Sequence, residues 1–364
     1  MLITVQQATA SFASAGIVLG VLSAATGLMP VKSRLVDRVG PRIVLPILAA
    51  LFSTALLGIA FAAILGVDTT IIYLALAGIA GLATPPLGPT MRALWAALTP
   101  DLAARQRAYA LDGVAEEIVQ VAGPLTVAAT LTVSGAPMTL VLVAILNVVG
   151  AFGLAFSSAA RSIDDPTAAT RTRSLMGPLR ERGFLTLVLI VLFIGVGGAQ
   201  LDVAIVARAQ ELNSPETAAY LLAALSIGSA VGGILWGIRV HRRSTATHLT
   251  GLVLVMSAGS IAAGFASDVV TLGAIVLVAG LANAPARIVE YLAADRLVPE
   301  GGRTEATTWV STANNIGASV GVSLAGVLVE GMGSANAMIG GGLLLTVVSP
   351  IVLVARTRLS PSTA

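Results

Sequence analysis

Long stretches without charge dominate this chain, and each is long enough to cross a lipid bilayer. A spanning helix needs about 20 mostly apolar residues, because each adds about 1.5 Å across a hydrocarbon core about 30 Å thick. Eleven stretches qualify, at 8–30, 43–66, 70–98, 108–133, 137–159, 183–207, 217–238, 249–267, 269–293, 305–329 and 332–355. Backbone groups in hydrocarbon must be satisfied within the chain, so these stretches are predicted to be helices. The apolar–polar alternation of a membrane-barrel strand is absent from them. The expected fold class is all-α, a polytopic membrane protein of about 11 transmembrane helices.

Composition closes off the soluble alternatives. Of 364 residues 56% are hydrophobic and 11% charged, whereas a soluble domain carries roughly 25% charged residues. Aromatics make up 4%, so the apolar content is mainly Ala, Leu, Val and Ile, with 38 glycines. That mixture suits close helix contacts, where small residues let backbones approach. The spacings Gly16–Gly20, Gly228–Gly232, Gly233–Gly237 and Gly317–Gly321 read as such contacts. Prolines at 46, 124, 285 and 350 mark kinks. With no cysteine, disulfides and thiolate metal sites are ruled out. His241 and His248, beside Arg239, Arg242 and Arg243, read as a solvated loop rather than a metal site.

The isoelectric point near 9.8 reflects arginines spread over short connections, which fits membrane orientation rather than nucleic-acid binding. Alternate connections carry Lys32, Arg34, Arg38, Arg42; Arg105, Arg107; Arg161, Arg171, Arg173, Arg180, Arg182; Arg239, Arg242, Arg243; Arg296, Arg303; and Arg356, Arg358. Of the 21 basic residues, only Arg208, Arg92 and Arg287 stand outside that set. The arginine-bearing face is expected to be cytoplasmic, together with the central linker and the C-terminus. Arginine's excess over lysine points to a GC-rich bacterial genome, and the expected location is the bacterial inner (cytoplasmic) membrane.

A polar stretch at 160–182 separates five helices from six. Across it runs a repeat at an offset of 198 residues, matching Arg105 with Arg303, Ala108 with Ala306, Ile118 with Ile316 and Gly123 with Gly321. Glu116–Glu117 falls opposite Asn314–Asn315 in the same register. Repeats of this kind are the architecture of secondary transporters, with the binding site between the halves.

The first basic connection reads Ser33-Arg34-Leu35-Val36-Asp37-Arg38-Val39-Gly40-Pro41-Arg42. It resembles the G-x-L-x-D-R-x-G-R-R loop between helices two and three of the major facilitator superfamily. Leu35, Asp37, Arg38, Gly40 and Arg42 match; Ser33 and Pro41 depart. Gly123-Pro124 resembles the start of that family's antiporter motif, although Val127-Ala128 replaces the following glycine pair. Pro85-Pro86-Leu87-Gly88-Pro89 with Arg92 is similar to the fourth helix of bacterial drug- and sugar-efflux members.

The resemblance implies two pseudo-symmetric bundles: 1–159 (family helices two to six), a linker at 160–182, and a six-helix bundle at 183–364. It implies a gating role for Asp37 and Arg38, and it leaves family helix one without a counterpart. A misplaced start codon or a truncated gene would account for that, and a truncated non-transporting protein is one reading of it.

Ionisable residues inside spans are costly and are functional candidates. Asp112, Glu116 and Gln120 share one helical face, with Glu117 beside it. Glu116 or Glu117 is a candidate proton carrier with Arg92 tuning it; equally, a fixed Arg92–glutamate pair would hold two helices together. Asn283, Arg287, Glu290 and Tyr291 form a second set, and Thr308, Thr312, Asn315, Ser319 and Ser323 a polar stripe. These suggest a hydrated path or helix-bridging contacts. Asp202 is a gate residue or an interfacial one.

A phosphate-binding loop needs lysine after glycine, and Lys32, the one lysine, follows Val31. No cluster of His, Asp, Ser or Lys at one face suggests a membrane enzyme. The expected function is therefore non-enzymatic: proton-coupled efflux of a small organic molecule by alternating access, with no cofactor and as a monomer. Import or facilitated sugar passage is the alternative.

Overall fold

The computed structural model describes residues 1–99, 101–162, 177–213, 217–239, 241, 244–298 and 302–354. Most of the linker expected at 160–182 lies outside the described residues, as do Arg171, Arg173, Arg242, Arg243, Arg356 and Arg358. Among the described residues the regular structure is helical. In chain order the helices are α1 (Leu2–Thr9), α2 (Phe12–Thr26), α3 (Met29–Val39), α4 (Pro41–Ile64), α5 (Thr70–Ala83), α6 (Leu87–Leu98) and α7 (Leu102–Ala155). The second half of the chain adds α8 (Arg182–Glu211), α9 (Ala218–Ile238), α10 (Thr245–Gly264), α11 (Val269–Gly280), α12 (Asn283–Leu297), α13 (Arg303–Met332) and α14 (Ser334–Val354). Among the described residues nine stretches are long and apolar enough to cross a membrane, counting α5 with α6 and α11 with α12. The chain is a multi-pass membrane protein.

Several boundaries differ from those expected. The stretch at 8–30 is not one span but parts of three helices. Ala10 takes a left-handed φ of 52°, and the Ser11 hydroxyl caps α2 by accepting the Ser14 N–H at 3.2 Å. Pro30 then opens α3 within its first turn, where its missing N–H would be unused anyway. With 15 residues, α2 reaches only about 22 Å.

The motif expected as a loop at 33–42 is helical too: Leu35, Asp37 and Arg38 lie on α3, because no breaker falls between Val31 and Val39. Gly40 turns the chain with φ 96°, a conformation that L side chains rarely adopt, and Arg42 is already in the first turn of α4. That torsion accounts for a glycine at this point of the motif.

The spans expected at 108–133 and 137–159 form consecutive parts of α7, parted at Gly135 (φ 81°, ψ 174°). Gly333, at the repeat offset from it, ends α13 with φ 84° and ψ 164°. The spans at 70–98 and 269–293 each break into two half-helices, so the repeat extends to an interrupted helix in both halves.

The chain packs as two compact units, one of 1–98 with 120–173 and one of 99–119 with 174–364. Residues 102–119 of α7 thus belong to the second unit. In the first, α1, α2, α4, α5 and α7 share a core around Val18, Ile59, Tyr73 and Leu140. There α2 meets α5 at Gly81, where a methyl group would come within 2.6 Å of the Leu22 carbonyl oxygen. In the second unit, Gly317 and Gly321 press against the Leu192 and Val196 carbonyls of α8, and Gly228 and Gly232 against Leu277 and Leu281 of α11 and its end. Methyl groups at these four positions would overlap the neighbouring backbone. Gly233 and Gly237 face the Ala284 and Ala110 methyls. Of the expected contact glycines, Gly20 has open space around it.

Proline explains one break in detail. Pro85 has no N–H, so the Gly81 carbonyl loses its donor one turn on. The Thr84 N–H approaches it at 3.5 Å, and the buried Lys32 ammonium donates to it at 3.0 Å. A cation is well placed at the C-terminal end of α5. Burial pushes the Lys32 amine down from 10.5 to about 8.

Because the folded chain holds this proton less tightly than the unfolded one, folding stability rises as pH climbs from about 8 towards 10.5. An NMR titration of lysine-labelled protein is expected to show a midpoint near 8. A midpoint at the ordinary lysine value would mean that Lys32 is solvated and has released the Gly81 carbonyl.

Candidate functional site

Within the second unit, α7, α12 and α13 enclose a polar cavity of about 160 Å³, lined by Glu116, Arg287, Glu290, Tyr291, Val310, Ser311, Asn314 and Asn315. Helical spacing builds it. Arg287, Glu290 and Tyr291 stand at i, i+3 and i+4 on α12, and Ser311, Asn314 and Asn315 at the same intervals on α13. The approach of α13 to α8 is close enough that a methyl group at Gly195 would overlap the Asn314 backbone. Glycine packing therefore fixes the depth at which the two asparagines sit.

An ion pair marks the α7 side of the cavity. Arg287 reaches the Glu116 carboxylate at 3.8 Å, with side chains 42% and 35% exposed. A pair this open is reachable by water and solutes. Glu117 faces α9 instead, where the Ser229 hydroxyl donates to it at 2.7 Å. Glu290 is 3% exposed, and its Oε1 has no hydrogen-bond partner. Asp202, exposed on α8, lies within electrostatic reach of Arg287 and Glu117.

Next to the cavity is a buried polar cluster. The Tyr109 hydroxyl donates to Asp295 Oδ2, Arg105 stands 3.9 Å from the same oxygen, and Tyr109 meets Tyr291 edge-on at 6.1 Å. Tyr291 shares a 3.3 Å hydrogen bond with Ser311. Arg105 and Arg303, matched by the repeat, both act on Asp295. The polar cluster thus adjoins the cavity through Tyr291.

Other expected residues stand elsewhere. Arg92 is 2% exposed on α6 in the first unit. Asp112 and Thr312 are half-buried outside the cavity lining, and Gln120 is exposed. Asn283 is the first residue of α12. The Ser319 hydroxyl donates to the carbonyl of Asn315 in its own helix at 2.9 Å. Gly123 and Pro124 lie within α7, whose backbone stays helical on either side, and Gly123 has open space around it.

His241 and His248 are half-buried rather than freely solvated. The His241 ring stacks on Trp236 at 3.6 Å, and the Gln106 amide reaches His241 Nδ1 at 3.0 Å and the Trp236 and Arg239 carbonyls at 2.6 Å. Burial lowers the His241 pKa below its usual value. Among the described residues no group of three or more His, Cys, Asp or Glu is placed to hold a metal ion.

Sequence reasoning missed Tyr109, Asp295, Ser229 and Ser311. Ser311 was within reach, since it precedes Asn314 and Asn315 by three and four positions. Asp295 beside Arg296 reads as an ordinary polar flank.

The model of the Major Facilitator Superfamily matches residues 1–205 and 187–364. The chain belongs to that superfamily. Its fold is similar to the crystal structure of the human organic anion transporter TETRAN, with TM-score 0.69, 16% identity, and coverage of 96% of this chain and 83% of that one. It is similar to the E. coli fucose:proton symporter, with TM-score 0.71, 15% identity, and coverage of 97% and 93%. It is also similar to the proton:xylose symporter XylE, with TM-score 0.62, 16% identity, and coverage of 96% and 88%. At these identities the likeness establishes the shared fold. No curated protein sequence matches the chain. As a major facilitator superfamily member, the protein has the fold of transmembrane transporters.

Removing the hydroxyl in Tyr109→Phe leaves buried Asp295 without its donor. The expected cost is about 1–3 kcal/mol, read as a lower Tm of the detergent-solubilised protein. An unchanged Tm would show that water or Arg105 replaces the hydroxyl.

Proposed function

We propose that the protein is a secondary transporter that exchanges protons for a small organic molecule, moving the substrate out of the cell by alternating access. The observation that carries this reading is the accessible Glu116–Arg287 pair at 3.8 Å on the wall of a polar cavity. A carboxylate in such a pair has two alternative partners. Deprotonated, Glu116 holds Arg287; protonated, it releases the guanidinium to the cavity. Proton binding and substrate binding then act on the same two helices. Glu117, tied to Ser229, is the second carboxyl of this step.

Alternating access uses two bundles, 1–159 and 183–364, joined by the linker at 160–182. The arginine-rich connections lie on the cytoplasmic side of a bacterial cytoplasmic membrane, and the working unit is a monomer. Export is supported by the likeness of Pro85-Pro86-Leu87-Gly88-Pro89 with Arg92 and of Gly123-Pro124 to efflux members of the superfamily. Asp37 and Arg38, in the last turn of α3 just ahead of α4, act in gating.

In vesicles reconstituted with the protein, substrate-dependent proton movement is expected to be lost when Glu116→Gln and Glu117→Gln are combined. Persistence of coupling removes both from the mechanism. Uptake into inside-out vesicles, driven by inward acidification, supports export, and uptake only into right-side-out vesicles reverses the direction. Asp37→Asn is expected to slow turnover while leaving substrate affinity nearly unchanged. A large loss of affinity would instead place Asp37 among the binding groups.

A further inference from the structure

Among the described residues that line the cavity, two carry carboxyl groups and one a guanidinium. Glu116 and Glu290 line it, and Glu117 and Asp202 stand close enough to add to the same field. Arg287 is the cation shared by Glu116, Glu290 and Asp202, and Glu116 already engages it. Ser229 occupies one oxygen of Glu117. Glu290 is different: it is 3% exposed, it lines the cavity, and its Oε1 has no hydrogen-bond partner. A buried carboxylate is costly unless a cation or a proton joins it.

The rest of the lining is neutral and hydrogen-bonding. Tyr291, Ser311, Asn314 and Asn315 supply hydroxyl and amide groups, and Val310 is the single aliphatic side chain among the lining residues. A volume of about 160 Å³ equals the space of about five water molecules. A lining this polar offers little contact to a bulky apolar drug. A neutral sugar brings hydroxyl donors to the Glu290 oxygen but no opposite charge.

We infer that the cavity binds a compact organic cation, with the ligand's ammonium on Glu290 and its polar groups on Ser311, Asn314 and Asn315. This names a substrate class for the proposed exchange and so rests on that reading. It differs from it in one respect: Glu290, rather than Glu116, selects the ligand. Glu116 and Arg287 pair beside the ligand, so Glu290 is the carboxyl group that a cationic ligand meets. A cation satisfies it without breaking the Glu116–Arg287 pair, whereas an anion would meet two carboxylates for one guanidinium.

The probes are putrescine, aminobutanol and butanediol, matched in length and carrying two, one and no ammonium groups. Binding to the purified full chain in detergent is read by isothermal calorimetry near neutral pH. Both amines are expected to bind at least roughly tenfold more tightly than the diol. Glu290→Gln is expected to remove that preference, and Glu290→Asp, which keeps the charge and controls for folding, to retain most of it. Equal affinity for the diol, unchanged amine affinity in Glu290→Gln, or no binding of any probe overturns the assignment.

Vesicle assays separate this inference from the exchange reading. Amine binding without amine-driven proton movement leaves the cation site standing and sinks the exchange. Proton movement driven by the diol but not by the amines does the reverse.

Discussion

Inside a bilayer each peptide group must find its hydrogen-bond partner within the chain, since hydrocarbon offers none. The prolines at 85, 86 and 285 interfere with that requirement, each removing an N–H from a helical run. At the first break the Gly81 carbonyl is taken up by Lys32. At the second, Pro285 cannot donate to Leu281, and Gly232 of α9 packs closely against the Leu281 carbonyl. The way each interruption is accommodated sets the direction of the half-helix beyond it. Because α12 restarts at Asn283, Arg287 and Glu290 fall in its first half, beside α7 and α13. An uninterrupted helix would aim those side chains along another direction.

Small residues then decide how near the helices come. Packing without a hydrophobic drive between helices relies on van der Waals contact, which glycine maximises by removing its side chain. Along α8 and α13 the contacts at Gly195, Gly317 and Gly321 leave no room for a methyl group. The polar face of α13 is thereby held at a fixed distance from α8, on which Asp202 lies. Hydroxyl groups add local clips: Ser257 donates to Gly342 O at 2.7 Å and Ser260 to Met338 O at 2.8 Å, joining α10 to α14. Rigid walls of this kind let a small polar cavity persist in an apolar bundle.

The positions of the spans were legible because lipid imposes a length and a polarity that few other constraints mimic. Helix ends were less so. Gly135 is one of many glycines in the sequence, and nothing local distinguishes it from Gly20, which meets no neighbour. The α3 helix hid inside a charged motif, because its arginines read as a connection although no residue there breaks a helix. Part of the candidate site was also visible. Glu116, Arg287, Glu290, Tyr291 and Asn315 stand out as polar residues in apolar surroundings, and the structure brings all five to one cavity. Their pairing was not visible. Which cation faces Glu116 depends on how α7 lies against α12, and that depends on backbone breaks and glycine contacts that periodicity does not encode. Ser229 shows the limit most clearly: a lone hydroxyl in a glycine-rich helix has many uses, and only packing picks one.

Gly135 and Gly333 turn the chain alike, 198 residues apart, in the register of the internal repeat. Their torsions lie in a region that is essentially closed to any residue with a Cβ atom. Leucine and valine are interchangeable along much of an oily face, but a side chain at either of these two corners would strain the backbone. A matching pair of backbone angles thus marks the register of the two halves where their apolar side chains do not.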